Sequence, residues 1–257
     1  MTSLISPRIG RMLRCLGMLV VTLAMLGLPL YAQPQLTPQS ESAATAPAQH
    51  LTVEQILAKH YEAIGGDAHQ HVQTMRMSGR SLVMGMEAPY TRYSKRPNKM
   101  LLEIYVQDMT GIQAFDGEVA WAFMPFMGQS APAAMPPAQA TSVLEGSDFD
   151  GPLAHATENG HEVELLGVEQ INGADAYKLQ VTRKTGGVQT LYVDTETFYI
   201  SRVESIEGDA DFLDYRLIDG HPVPQVIQMV AAMGEQTIYV DEVEFNVEID
   251  DAAFRMR

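Results

Sequence analysis

The hydrophobic positions of this chain change period once, near residue 72. Before that point Val53, Ile56, Leu57 and Ile64 recur at helical spacing, which puts them on one stripe of an amphipathic helix. Thr52 with Gln55 three residues later is a capping-box pair, and Gly65-Gly66 ends the run, since glycine takes the left-handed cap without steric cost. From Val72 onward the period is two. Met75 and Met77 share one parity, whereas Leu82, Met84 and Met86 share the other, so the phase flips near Gly79 as a bulge or bend makes it do. Pro97-Asn98 separates this region from the alternating run Met100, Leu102, Ile104 and Val106. Asp116-Gly117 turns the chain between 112–115 and 119–124, a tight hairpin signal.

Residues 141–153 interrupt the strands with Val143, Leu144, Phe149 and Leu153 around Gly146 and Gly151-Pro152, which reads as one or two short helices. Strand patterns then return at 163–168, 177–181, 188–193, 198–206, 212–218, 223–230 and 238–247, joined by turns such as Asn172-Gly173, Gly186-Gly187 and Asp219-Gly220. Strands joined so tightly are antiparallel neighbours. About ten or eleven of them in an up-and-down meander curl, because twist accumulates across a wide sheet. With no second sheet in the pattern, the helices must cover one apolar face. The expected fold class is α+β, mainly β: an unclosed antiparallel barrel, or strongly curved sheet, with helices over its concave face.

Residues 121–137 depart from this regularity. Trp121 and Phe123 begin as a strand, and the chain then runs through Phe126, Met127 and Met135 among Pro and Ala with no period to tuck them under a core. A surface connection is normally polar. Either these groups pack down on the domain, or they rim an apolar cavity with thioethers that adapt to varied ligands. Of the sixteen methionines, four precede residue 33 and eight fall between Met75 and Met127, a concentration that favours the cavity. The expected ligand-binding set is Met84, Met86, Met100, Leu102, Ile104, Trp121, Phe123, Phe126 and Met127.

The first 32 residues stand apart. Arg8, Arg11 and Arg14 precede an apolar run from Leu16 to Leu30, and Tyr31-Ala32 offers a small residue for cleavage, as in a secretory signal peptide. Cys15, the single cysteine, follows Arg14 inside this leader, so neither a lipid anchor nor a disulfide is expected in the mature chain. Residues 33–50 are Pro, Gln, Ala, Ser and Thr with little to bury, a linker composition. Residues 51–257 are left for one domain. Because the leader holds three of the 17 basic residues and no acid, 14 bases face 32 acids beyond it, a net charge of −18. Such a surface repels nucleic-acid phosphates and anionic lipid headgroups.

No catalytic pattern emerges. His60, His69 and His71 cluster near the first helix, without the carboxylates that would complete a metal site; they read as solvated helix-end histidines. Gly128-Gln129-Ser130 lacks the second glycine of a nucleophile elbow. Asp148-Phe149-Asp150-Gly151 lacks the downstream glutamate of a calcium loop, and Asp209, Asp211 and Asp214 read as solvated carboxylates. No catalytic residue, metal or cofactor is expected.

Several segments are similar to one group of proteins. They are Glu62-Ala63-Ile64-Gly65-Gly66, Arg96-Pro97-Asn98-Lys99-Met100, Gly111-Ile112-Gln113-Ala114-Phe115-Asp116-Gly117, Phe149-Asp150-Gly151-Pro152-Leu153, Asp175-Ala176-Tyr177-Lys178-Leu179, and Asp214-Tyr215-Arg216 before Asp219-Gly220 and Pro224. With them the chain resembles the periplasmic outer-membrane lipoprotein-sorting proteins, similar to the LolA/LolB carriers. The resemblance implies an unclosed barrel with a helical lid over a cavity for acyl chains. It implies a carrier rather than an enzyme, placed in the periplasm. Its partners would be the acyl chains of lipoproteins or lipids, with an inner-membrane donor or an outer-membrane acceptor protein. The alternative on the same fold is an envelope sensor or interaction module. The carriers hold the lid with an arginine; Arg76, Arg80 and Arg92 stand in early strands here.

Overall fold

The computed structural model describes residues 51–83, 85–231 and 234–257. The expected leader and linker, and Met84 of the expected ligand set, lie outside the described residues. Helix α1 spans Val53–Ala63. Gln55 N donates to Thr52 Oγ1 at 3.3 Å while Thr52 N donates to Gln55 Oε1 at 2.9 Å, so both halves of the capping box form and two otherwise orphaned amides are satisfied. A four-residue helix α2, Asp67–Gln70, follows the glycine pair.

Among the described residues thirteen strands then form one sheet. They are β1 Thr74–Val83, β2 Met86–Lys95, β3 Lys99–Val106, β4 Met109–Phe115, β5 Ala120–Phe123, β6 Ala133–Ala134, β7 Glu162–Ile171, β8 Ala174–Thr182, β9 Val188–Asp194, β10 Ile200–Ser205, β11 Gly208–Ile218, β12 His221–Ala231 and β13 Gly234–Phe245. Helix α3, Pro137–Ser147, lies between β6 and β7, and a 3₁₀ turn, Asp251–Phe254, follows β13.

The order across the sheet is β6-β5-β4-β3-β2-β1-β13-β12-β11-β10-β9-β8-β7, with the strand pairs antiparallel. Two meanders therefore meet back to back at the β1–β13 pair, and β6 and β7 remain as open edges. Thirteen strands exceed the ten or eleven expected because two carry no periodic signal. One is β2, whose sequence Met-Glu-Ala-Pro-Tyr-Thr-Arg-Tyr-Ser-Lys has few apolar positions; the other is β6, only two residues long. Pro89 is tolerated in β2 because pairing with β3 begins at Tyr90, beyond the residue that has no N–H to offer. The phase flip near Gly79 is a bulge: the β1–β13 register shifts between Ser78 and Gly79. A Cβ at Gly79 would stand 2.0 Å from Tyr239 O, so this approach of two backbones admits no side chain.

Helices and loops cover one face of the sheet. Ile56 of α1 packs with Leu153 and with Leu179, Val181, Leu191 and Val193 of β8 and β9. Val143 of α3 packs on Met100, Phe115 and Ala120 of β3, β4 and β5. The opposite, outer face is covered beneath the 3₁₀ turn, where Phe254 meets Leu101, Ala114 and Trp121.

One helix reports how far the sheet curls. Besides touching β4, α3 accepts through Glu145 Oε2 from Gln189 Nε2 of β9 at 2.6 Å, and its Ser142 Oγ donates to Glu207 between β10 and β11 at 2.7 Å. β4 and β9 are third and eleventh in the sheet order. Eight strand spacings on a flat sheet would span roughly 38 Å, whereas an eleven-residue helix is roughly 16 Å long. Both ends of the sheet reach one helix because the sheet wraps around it.

Candidate functional site

Between the curved sheet and its helical layer lie two apolar hollows on either side of the segment linking α3 to β7. The first, about 300 Å³, has a floor of Met75 and Met77 from β1, Phe212 from β11, Val223 from β12 and Phe245 from β13. Its roof is His60 of α1, Ile64 at the C-cap of that helix, His69 of α2 and Phe149. The second, about 320 Å³, lies over Leu191, Val203 and Met229 beside Ser142, Glu145 and Gly146 of α3. Ile200 and Phe212 line both hollows and form the partition between them. A further hollow of about 700 Å³, around Arg80, Asp214, Arg216 and Asp241, is charged and unsuited to an apolar guest.

Two arginines tie the roof to the sheet. Arg92 of β2, on the helix-covered face, donates from Nη2 to Gly146 O in α3 at 2.5 Å and from Nε to Ser94 Oγ at 3.3 Å. Burial pulls its pKa down. Arg76 instead pairs with Glu244 at 2.6 Å and Glu242 at 3.3 Å, and Arg80 lies 3.9 Å from Asp241 and over the Tyr239 ring. Of the three early-strand arginines, Arg92 therefore meets the helical layer. Arg96, in the turn after β2, forms a second tie. Its guanidinium grips both oxygens of Asp150, donates to Val72 O at 2.6 Å and His69 O at 3.1 Å, and lies over the Phe149 ring. Burial pushes the Asp150 carboxyl up, but its contacts with His69 and Arg96 outweigh that and hold it well below the usual carboxylate range.

Two of the three histidines read as solvated are enclosed. His60 is buried and its Nδ1–H donates to Phe198 O at 2.8 Å; burial lowers its pKa and that bond partly offsets the effect. His69 Nε2 stands 3.0 Å from Asp150, with its ring beside Phe149 and His221. His71 is exposed. The correction has a local cause, because His60 is four residues from both Ile56 and Ile64 and so shares the buried stripe of α1. Among the described residues no group of three His, Cys, Asp or Glu is placed to hold a metal ion. Nδ1–H of His60 and of His221 donates to the backbone carbonyls of Phe198 and Ile64 respectively.

The residues expected to bind ligand are distributed over both faces. Met100 lies under Val143 on the helix-covered face, and Leu102 and Ile104 follow it on the same parity. Phe126 folds onto Gly111 of β4 so closely that a Cβ there would stand 2.4 Å from its ring. Trp121 and Phe123 point the other way: register pairs Trp121 with Ala114 and Phe123 with Ile112, and both pack in the outer-face cluster with Phe254. Met86 and Met127 are 68% and 69% exposed. None of the described members lines the two hollows. Met75 and Met77 do, together with residues of β11, β12 and β13 that no local pattern connects to them.

The sequence matches no family model and no curated protein. Solved structures do match. A LolA superfamily protein from Nitrosomonas europaea superposes with a TM-score of 0.56 at 20% identity, over 80% of this chain and 98% of that one. The fold is LolA-like. A DUF1329 family protein from Desulfovibrio piger gives 0.56 at 15% identity, over 79% of this chain and 97% of that one. A domain described as an outer membrane lipoprotein-sorting protein from Vibrio parahaemolyticus gives 0.57 at 12% identity, over 79% and 97%. Among the described residues no helix is long and apolar enough to cross a membrane.

Proposed function

We propose that this protein is a periplasmic carrier that shields acyl chains of a lipid or lipoprotein beneath its helical layer and performs no chemical step on them. The observation that carries this is the pair of adjoining apolar hollows, which share Ile200 and Phe212 in their linings, under a roof tied to the sheet at Arg92 and Arg96. Each methylene removed from water contributes about 0.8 kcal/mol, so ten of them supply about 8 kcal/mol before the costs of ordering a flexible chain. Met100, Leu102 and Ile104 share the helix-covered face with this floor, Met100 beneath Val143 of α3. The leader-like first 32 residues fit export to the periplasm, where the donor and acceptor partners are proteins of the two membranes. The lipoprotein-sorting description of the Vibrio domain supports the same reading.

Native mass spectrometry of gently purified protein should reveal co-purified acyl ligands, and a fluorescent fatty acid should bind with its acyl chain intact after release. Met77→Trp, which fills the first hollow, should weaken uptake at least tenfold while the protein still melts cooperatively. Protein that is consistently empty and ignores both fatty acids and acylated peptides would overturn the proposal, as would recovery of hydrolysed ligand.

A further inference from the structure

A third hollow, about 310 Å³, adjoins the two apolar ones and adds charge to the lining: Glu145, Asp148, His161 and Arg183 stand there beside Asn98, Asn159 and Thr185 and the apolar Phe115 and Leu144. Glu145 and Arg183 also line the second apolar hollow, so this pair forms a wall with an acyl-sized space on one side and the charge-bearing hollow on the other. Arg183 is only 8% exposed. A guanidinium has five donors, yet among the described residues its one side-chain hydrogen bond is a long one, 3.4 Å from Nη1 to Asp148. Nε is buried without a partner, 3.9 Å from Glu145. A buried donor left unmade is costly, and a ligand group that accepts from the guanidinium relieves that cost.

The surroundings specify that group. Lys184 N donates to His161 Nδ1 at 3.2 Å, which leaves Nε2–H as the second donor on a ring lining the hollow. Two carboxylates nevertheless face one guanidinium, so a lone anion would meet net negative charge, and an ammonium beside it restores the balance. Burial raises the Asp148 carboxyl despite Arg183, as expected of a carboxylate short of positive charge.

We propose that this hollow receives the zwitterionic headgroup of a phospholipid, with the phosphate on Arg183 and His161 and the ammonium between Glu145 and Asp148, while the acyl chain crosses the wall into the second hollow. This rests on the acyl-carrier reading and adds the ligand class. Binding of four probes to the full chain tests it: lysophosphatidylethanolamine, lysophosphatidylglycerol and monoacylglycerol of one chain length, and free phosphoethanolamine. The zwitterionic lysolipid should bind about tenfold tighter or more than the other two acyl ligands, since hydrogen bonds to charged groups are the strong ones. Free phosphoethanolamine should not compete at matched concentration. Arg183→Gln should erase the preference for the zwitterionic lysolipid over monoacylglycerol; where that variant fails to melt cooperatively, Asp148→Asn should narrow the gap between the two lysolipids. Equal affinity for all three acyl ligands overturns the headgroup assignment and leaves the carrier standing; competition by free phosphoethanolamine at matched concentration overturns the phospholipid as the occupant in favour of the free phosphoamine. Absence of binding by every acyl ligand removes the carrier reading and this one together.

Discussion

Trp121, the single tryptophan, is 3% exposed, and its Nε1–H donates to Phe254 O at 2.8 Å. It is sealed by the C-terminal turn on the sheet face away from the hollows. The sequence had placed it at the cavity mouth with Met100, but in β5 it is Ala120 that shares Met100's face, and alternation sends its neighbour outward. Trp121 emission should therefore be blue-shifted in the folded protein and unchanged by acyl ligands. Phe254 is fully buried against it, and removing such a ring costs about 3–5 kcal/mol. Phe254→Ala should lower the urea midpoint accordingly and shift the emission to the red; a fluorescence response of the intact protein to a bound fatty acid would contradict this placement. His60 shows the opposite case, where a buried residue was legible and missed. Its position on the Ile56–Ile64 stripe outweighs the general preference of histidine for solvent.

At the scale of elements, α3 rests on the sheet through little apolar surface. Val143 is its buried side chain in the core cluster, Leu144 is exposed, and Gly146 weakens its last turn. Arg92 compensates by bonding the Gly146 carbonyl. Replacing a buried charge by an apolar group of similar length is often nearly neutral for global stability, and the freed carbonyl near the helix end can bond to water. Arg92→Met should therefore change the unfolding free energy by less than about 1 kcal/mol. Amide exchange in residues 141–147 should rise, and a bound acyl probe should dissociate faster. Unchanged exchange in α3 would show that Arg92 does not tether the roof. The hairpins needed no such help: Asn172-Gly173 and Asp219-Gly220 take positive φ at both positions, as two-residue turns between twisted strands require.

At the scale of the molecule, stability should fall on the acid side in two stages. His60 has a folded pKa below its unfolded value of about 6.5, and His161 is lowered by burial and by Arg183. Both must bind a proton to match the unfolded chain, so their contribution is present above about pH 6.5 and is lost as pH falls. The second stage lies below about pH 4. There Asp211, held down by Arg202, Asp251, held at about 2 by Lys95 and Lys99, and Asp150 lose their ion pairs as they protonate through their depressed folded pKa values. Urea midpoints measured from pH 8 to 3 should trace both declines, and His60→Gln should flatten the slope between pH 7.5 and 5.5 whatever it does to the level. A wild-type midpoint that stays flat across that interval would exclude His60 as a buried neutral group.

The sequence by itself determined what depends on a few adjacent residues: the capped first helix, the tight turns, the period-two strands, the bulge at Gly79 and, through the lack of a second sheet, the curl. Backbone preferences and side-chain period act over that range without knowledge of the rest of the chain. Only the tertiary structure decided where the hollows lie. Met75 and Met77 become their floor because β1 pairs with β13, setting Met75 opposite Phe245 and Met77 opposite Val243. The wall of Glu145 and Arg183 exists because the wrapped sheet carries the β8–β9 turn to α3. Which face of a strand meets which helix is set by register with distant partners, and a shift of one residue exchanges the faces. For that reason Trp121 and Phe123 could be recognised as strand residues from their neighbours, while the face they occupy could not.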